Sequence, residues 1–187
     1  GRFNKGENSL LYHESIKCLE LFFDNEEKNI LENGSFTVLS VEEGYSHVLN
    51  IDVGNNKINV KLKGDIDRVD QTSKGVRIVD YKSGFLTKKD TEMKNHNAFS
   101  STKYCLQLMI YAFLYNKKTN QRNIKSSIVS LRNPTASYID LVINDKNTID
   151  EDELSNFEGF IKDFVTGLLL EDLEYKHNPK QKYCMSC

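Results

Sequence analysis

The sequence predicts a mixed α/β fold in which a central sheet is flanked by helices. Apolar residues recur at helical spacing in separated segments, and short alternating runs bounded by turn residues lie between them. The order along the chain is helix, strands, helix, strands, helix, which is the pattern of a layered α/β domain. A length of 187 residues suits one domain with a sizeable core, so 1–187 is taken as a single unit.

Residues 9–23 predict the first helix, with Tyr12, Ile16, Leu19 and Phe23 on one face. Strands over 36–42 and 46–53 follow, split by Glu43-Gly44-Tyr45, and Gly54-Asn55-Asn56 makes a turn. Residues 57–70 read as a long strand with Ile58, Val60 and Leu62 alternating, and Thr72-Ser73-Lys74-Gly75 turns the chain into a short strand at 76–82. Two adjacent strands joined this tightly form an antiparallel hairpin. From Gly84 to Thr102 no period survives; the stretch is polar, carries Lys88, Lys89, Lys94 and His96, and reads as a long mobile loop. A helix at 103–116 sets Tyr104, Leu108, Tyr111, Ala112 and Tyr115 on one face, and strands at 125–132 and 137–143 flank Asn133-Pro134. The last helix carries a wide apolar stripe from Leu154 to Leu169, with Asp150, Glu151, Asp152 and Glu153 at its start, where the helix dipole favours negative charge.

Composition narrows the function classes. With 39% hydrophobic and 28% charged residues the chain is an ordinary globular sequence, and no apolar run approaches the ~18 residues of a membrane span. The first residues, Gly1 to Asn8, are polar and show no secretory leader. A net charge of −2 excludes a uniformly basic surface, so any contact with nucleic acid must come from a local patch. The four cysteines, Cys18, Cys105, Cys184 and Cys187, do not form a disulfide framework and point to a reducing, cytoplasmic setting.

The chemistry concentrates between Gly64 and Gly84. Asp80 and Lys82 are two apart on one strand and share a face, while the hairpin brings the Asp67 region opposite residues near 79 and 80. Two carboxylates and an ammonium converging at a strand end suit a hard divalent cation, Mg²⁺ or Mn²⁺, with the Tyr81 backbone carbonyl as a further ligand. Such a cation acidifies a bound water, and a neighbouring lysine orients it or neutralises developing charge. The bland alternative is that these are solvated groups near turns. Against it, Asp80-Tyr81-Lys82 ends the apolar run Val76, Ile78, Val79.

Gly64-x-x-Asp67-Arg68, Asp80-Tyr81-Lys82-Ser83-Gly84 and Gln107-x-x-x-Tyr111, in that order over about 48 positions, resemble the motif set of RecB/AddB-type PD-(D/E)XK nucleases. The resemblance implies a restriction-endonuclease-like core and a metal-dependent deoxyribonuclease, an exonuclease or helicase-associated module of DNA repair or recombination. It implies that Asp67 and Asp80 are metal ligands, that Lys82 is the catalytic lysine, and that Gln107 and Tyr111 face the active site and DNA from a helix. The implied partners are DNA and a helicase subunit or fused helicase domain, with no membrane. Gln107 and Tyr111 are four apart, hence neighbours on one helical face, and a glutamine beside an apolar stripe needs a polar partner.

The family also carries an upstream helix whose histidine completes the metal site. His13 is the helical candidate here, but it shares a face with Lys17, Glu20 and Asp24, so the expectation is that this motif lies before Gly1. Glu42 and Glu43 end a strand and could reach the metal; His47 and His96 read as exposed. The ending Cys184-Met185-Ser186-Cys187 resembles the start of the cysteine cluster of iron–sulfur members, so a [4Fe–4S] cluster is expected only in a longer protein, since it needs four thiolates. The alternative function is a nuclease fold that binds DNA without turnover.

Overall fold

The computed structural model describes residues 6–95, 99, 103–133 and 135–170. Helix α1 (Glu7–Asn33) is followed by three strands in succession, β1 (Thr37–Val53), β2 (Asn56–Thr72) and β3 (Gly75–Lys82). A single 3₁₀ turn (Lys88–Thr91) leads to β4 (Glu92–Met93), then come α2 (Lys103–Thr119), β5 (Lys125–Ser130), β6 (Ile139–Asp140), β7 (Val142–Ile143) and α3 (Glu151–Leu170). The main sheet has the order β1-β2-β3-β5-β6. β1, β2 and β3 pair antiparallel, β3 and β5 parallel, and β5 and β6 antiparallel, so the sheet is mixed. β4 and β7 form a separate parallel pair. This is the predicted α/β architecture, a five-stranded mixed sheet flanked by helices. Among the described residues no helix is long and apolar enough to cross a membrane.

The core lies between the sheet and the helices α2 and α3. Val69, Ile78, Leu108, Ala112, Phe113, Ile128 and Phe157 are all fully buried there. An aromatic chain, Phe99–Phe157 at 5.1 Å and Phe113–Phe157 at 5.8 Å between centroids, joins α2 and α3 in edge-on contacts that favour the ring quadrupoles.

Several expectations are corrected. The strands predicted at 36–42 and 46–53 are one strand: Gly44 and Tyr45 stay paired with Asp65 and Gly64, so the break is absorbed as a kink. Glu42, with φ of 50°, carries that kink in a region few side chains adopt. The loop over 84–102 is not structureless in its described part. Asp90 caps the Thr87 N–H at 2.8 Å, and Leu86, Thr91, Met93 and Phe99 are buried, so short-range caps and single apolar anchors hold it where no periodicity showed. The stripe Tyr12, Ile16, Leu19 and Phe23 is exposed rather than packed. α1 meets the sheet through Phe22, Glu26 and Asn29, because the surface beneath it carries Tyr81, Arg68, Ser137 and Tyr138.

Candidate active site

The site begins where two strands part. β2 and β3 pair from Thr72–Gly75 to Arg68–Val79 and no further, although β3 continues to Lys82 against β5. The N–H of Tyr81, beyond the last pair, donates instead to the Asp67 carboxylate, Oδ2 at 2.7 Å. A side chain thus replaces the backbone acceptor at the fork, and this charge-assisted bond pins Asp67 beside the Asp80–Lys82 segment. The kink contributes: Ile66 and Val69 are both fully buried in the same core, which residues three apart in a regular strand cannot be. Glu42, at positive φ, lies between the pairs Val41–Arg68 and Glu43–Ile66, beside Asp67, and the register of β1 on β2 shifts between Val38 and Ser40, beside Val69 and Asp70.

Asp80 is 1% exposed. Its Oδ1 accepts from the Gln107 side-chain amide at 3.1 Å, and the same amide donates to the Tyr111 hydroxyl at 2.8 Å. This is the polar partnership that a glutamine beside an apolar stripe requires. Lys82 Nζ lies 2.7 Å from Asp80 Oδ2, yet that oxygen has no well-directed hydrogen bond, so the contact is an ion pair of charge rather than direction. Burial pushes the Asp80 carboxyl above the usual aspartate range; the close ammonium of Lys82 opposes this, and the charge of Asp67 adds to it. Burial likewise raises the Tyr111 hydroxyl, with Asp80, Asp67 and Lys82 all acting on it, so Tyr111 keeps its proton at neutral pH and can donate it. Gly64 makes room for this ring: a Cβ there would stand 2.9 Å from Tyr111 Cε1.

Asp67, Asp80, Lys82, Gln107 and Tyr111 therefore meet at one place. The other candidates do not join them. Glu43 binds Lys118 at 2.6 Å and the Tyr45 hydroxyl at 2.8 Å, and Glu42 is exposed. His13 is exposed with its ring against Tyr12, on a face where Lys17, Glu20 and Asp24 are exposed too. His47, expected at the surface, is half-buried with its ring edge-on to Phe113 at 5.9 Å. His96, Cys184 and Cys187 lie outside the described residues.

The donors suit a hard cation. Two carboxylates and one ammonium leave one negative charge, and the buried Asp80 Oδ2 lacks a directed partner. Among the described residues there is no group of three or more His, Cys, Asp or Glu arranged to hold a metal ion. Two carboxylates match a cation that keeps several waters, as Mg²⁺ does, better than one needing a complete protein cage.

Sequence reading passed over the opposite face of the same fork. Arg68, 8% exposed, donates to the Tyr81 hydroxyl at 2.7 Å, to Glu26 at 3.3 Å and to Asp70 at 3.1 Å, and also bonds Tyr138. Arg77 donates to Asp70 at 2.9 Å and stacks 3.7 Å over the Tyr138 ring. The alternation Arg68, Asp70 opposite Arg77 on a hairpin is the signal that could have revealed this cluster.

No curated protein matches the chain. The crystal structure of SSO0001 is similar at 14% identity and a TM-score of 0.35, over 86% of this chain and 60% of that one, so the chain spans about 60% of that protein's length. The family model for the PD-(D/E)XK nuclease superfamily matches residues 10–187, which takes in α1, the fork between β2 and β3, and both later helices, and the chain belongs to that superfamily.

Proposed function

We propose that the protein is a metal-dependent DNA nuclease of the RecB type, a cytoplasmic exonuclease or helicase-associated module of DNA repair, with 1–187 as its nuclease core. The observation that carries this reading is the fork, where Asp67, Asp80, Lys82 and the Gln107–Tyr111 pair meet in a family whose members generally use divalent metal ions. A cation held by Asp67 and Asp80, with the Tyr81 carbonyl as a further ligand and Mg²⁺ or Mn²⁺ the ion of choice, would supply an acidified water and stabilise charge on the phosphate.

The chain's own groups divide the remaining work. Gln107 fixes the rotamer of Asp80 by donating to Oδ1, which leaves Oδ2 for the cation and Lys82. The Lys82 ammonium orients the attacking water and offsets negative charge on the phosphate as the water oxygen bonds to phosphorus and the ester P–O bond breaks. Tyr111, its hydroxyl oxygen engaged by Gln107, has its own proton available for a phosphate oxygen.

The test is Asp80→Ala, with cleavage of linear DNA in Mg²⁺ and DNA binding measured on one preparation. Cleavage should fall at least a hundredfold, as when one transition-state partner is removed, while binding persists because phosphate affinity comes from Lys and Arg. Undiminished cutting would remove Asp80 from the reaction. Binding without cutting by the wild-type protein would favour the second reading, a nuclease fold that holds DNA without turnover.

A further inference from the structure

We propose that the nucleic-acid strand reaches this site along the unpaired edge of β2, held by Lys61 and Lys63 on the β1–β2 hairpin and by Lys103 at the start of α2. The proposal rests on the nuclease reading above and adds the path of the substrate to it.

The path follows from the way the strands part. β2 pairs with β1 from Asn56 to Gln71, but its other edge pairs with β3 only from Arg68 onward. Between Asn56 and Asp67 that second edge has no strand beside it among the described residues. α2 runs alongside instead and leaves an open groove of ≈ 290 Å³. Lys63 and Gly64 line it from β2, and Lys103, Leu106, Ile110, Gln107 and Tyr111 line it from α2. Gln107 donates to Asp80 and to the Tyr111 hydroxyl, so the groove borders the proposed chemistry.

Charge decides what the groove takes. Lys57, Lys61 and Lys63, two or four residues apart, are exposed on the solvent face of β2, alternating with Ile58, Val60, Leu62 and Gly64 that face the core and α2; Lys63 lines the groove, and Lys61 stands beside the open edge that leads to it. Across the hairpin Lys61 faces Val48 and Lys63 faces Ser46; only Lys57 faces an acid, Asp52. None of the three has an ion-pair partner among the described residues, nor has any of Lys17, Lys74, Lys88, Lys89 and Lys94, but those are scattered over α1 and loops rather than gathered on one strand. In a chain of net charge −2, unpaired lysines collected on the strand that leads to the site form the local patch that phosphate binding needs. Asp65, opposite Gly44, ends the row next to Asp67, where cation binding replaces phosphate binding. The partly buried Leu106 and Ile110 between the lysines give an apolar surface for sugars and bases, while the ammonium groups take the phosphates. An extended peptide pairing with the open β2 edge is the rival occupant, but it has no use for the lysine row.

The double variant Lys61→Glu/Lys63→Glu of the whole chain tests the path against a control, Lys28→Glu/Lys162→Glu, that reverses two lysines elsewhere. A labelled DNA oligonucleotide is titrated at several salt concentrations without divalent metal, and single-turnover cleavage is followed in Mg²⁺ at saturating DNA. We expect the groove variant to bind at least tenfold more weakly at low salt. Its slope of log affinity against log salt should be shallower by roughly 1.5, since each phosphate contact carries about 0.7–0.9. The control should keep the wild-type affinity, salt slope and cleavage rate. Wild-type affinity and slope in the groove variant, or an equal loss in the control, would overturn the path and leave the open edge to a peptide. If the wild type cuts DNA and the groove variant binds normally, the path fails and the nuclease reading stands. If the wild type binds with the expected lysine dependence but never cuts, the nuclease reading fails and the path stands. A wild type that does not bind DNA overturns both.

Discussion

The two faces of the β2–β3 hairpin treat buried charge in opposite ways. Beneath α1, Arg68 and Arg77 meet Asp70 and Glu26, two positive charges against two negative, and the hydroxyls of Tyr81 and Tyr138 bond Arg68, while Arg68 Nε and Asp70 Oδ1 meet as an ion pair at 3.0 Å. Beneath α2 there are two carboxylates and one ammonium: Lys82 pairs with Asp80, and Asp67 accepts from the Tyr81 N–H. The first face is closed and neutral; the second is open and short of one positive charge. Consecutive residues on each strand serve both faces: Asp67 and Arg68 on β2, and Asp80 and Tyr81 on β3, with Tyr81 accepting from Arg68 through its hydroxyl and donating to Asp67 through its backbone N–H. The neutral cluster anchors the fork while the unbalanced one is left to bind a cation. The lesson is that buried charge anchors a fold where it is balanced, and that an unbalanced cluster is held ready for a ligand.

That contrast can be broken most decisively at Asp70, which is 0% exposed. Asp70→Ala strands two buried guanidinium groups, and its destabilisation should be about 3–5 kcal/mol. Urea denaturation of the metal-free protein measures it against Asp80→Ala, which should lose far less fold stability while losing the chemistry. If Asp80→Ala were the more destabilising of the two, the distinction between an anchoring and a binding face would be wrong.

A smaller effect is expected at Gly64. The added methyl of Gly64→Ala, 2.9 Å from the Tyr111 ring, forces the ring to move, at a cost of about 1–3 kcal/mol. A displaced Tyr111 also loosens Gln107 and with it Asp80, so turnover should fall by roughly tenfold to a hundredfold, more than binding does. Steady-state kinetics beside a melting curve separate the two losses, and a variant with full turnover would show that Tyr111 does not steady the site.

The finest test is pH. Burial raises the Asp80 carboxyl above 3.8, its unperturbed value, so the folded protein prefers the protonated form. The stability this contributes is fully present below the unfolded value and is lost as pH rises through the raised one. With a chelator present, the melting temperature of the wild type should therefore decline across that interval, and Asp80→Asn should flatten the decline. Identical profiles would mean that Lys82 already compensates Asp80 in full.

The sequence showed the hairpin plainly. Thr72-Ser73-Lys74-Gly75 between two β-branched runs specifies the turn, and counting back from it puts Arg68 opposite Val79. The same arithmetic places Asp80 and Lys82 on one face, and helical spacing makes neighbours of Gln107 and Tyr111. The segment after Gly84 was illegible, because a capped 3₁₀ turn and isolated anchors such as Met93 and Phe99 have no period. The packing of α1 is not legible in the sequence for a different reason. Its apolar stripe predicts a helix correctly but assumes an apolar surface to receive it, and the surface it meets is the Arg68 cluster.

By itself, then, the sequence determined the α/β order, the antiparallel hairpin and the set of groups that share its faces, because these follow from local periodicity and turn chemistry. Only the tertiary structure decided that β3 leaves β2 after Arg68, that Asp67 fills the vacated acceptor position, and that Gln107 reaches Asp80 across the layers. Strand separation and contact between layers depend on the packing of segments distant in sequence. An aspartate is the same letter whether it ends in water, in a neutral cluster or beside an unbalanced charge.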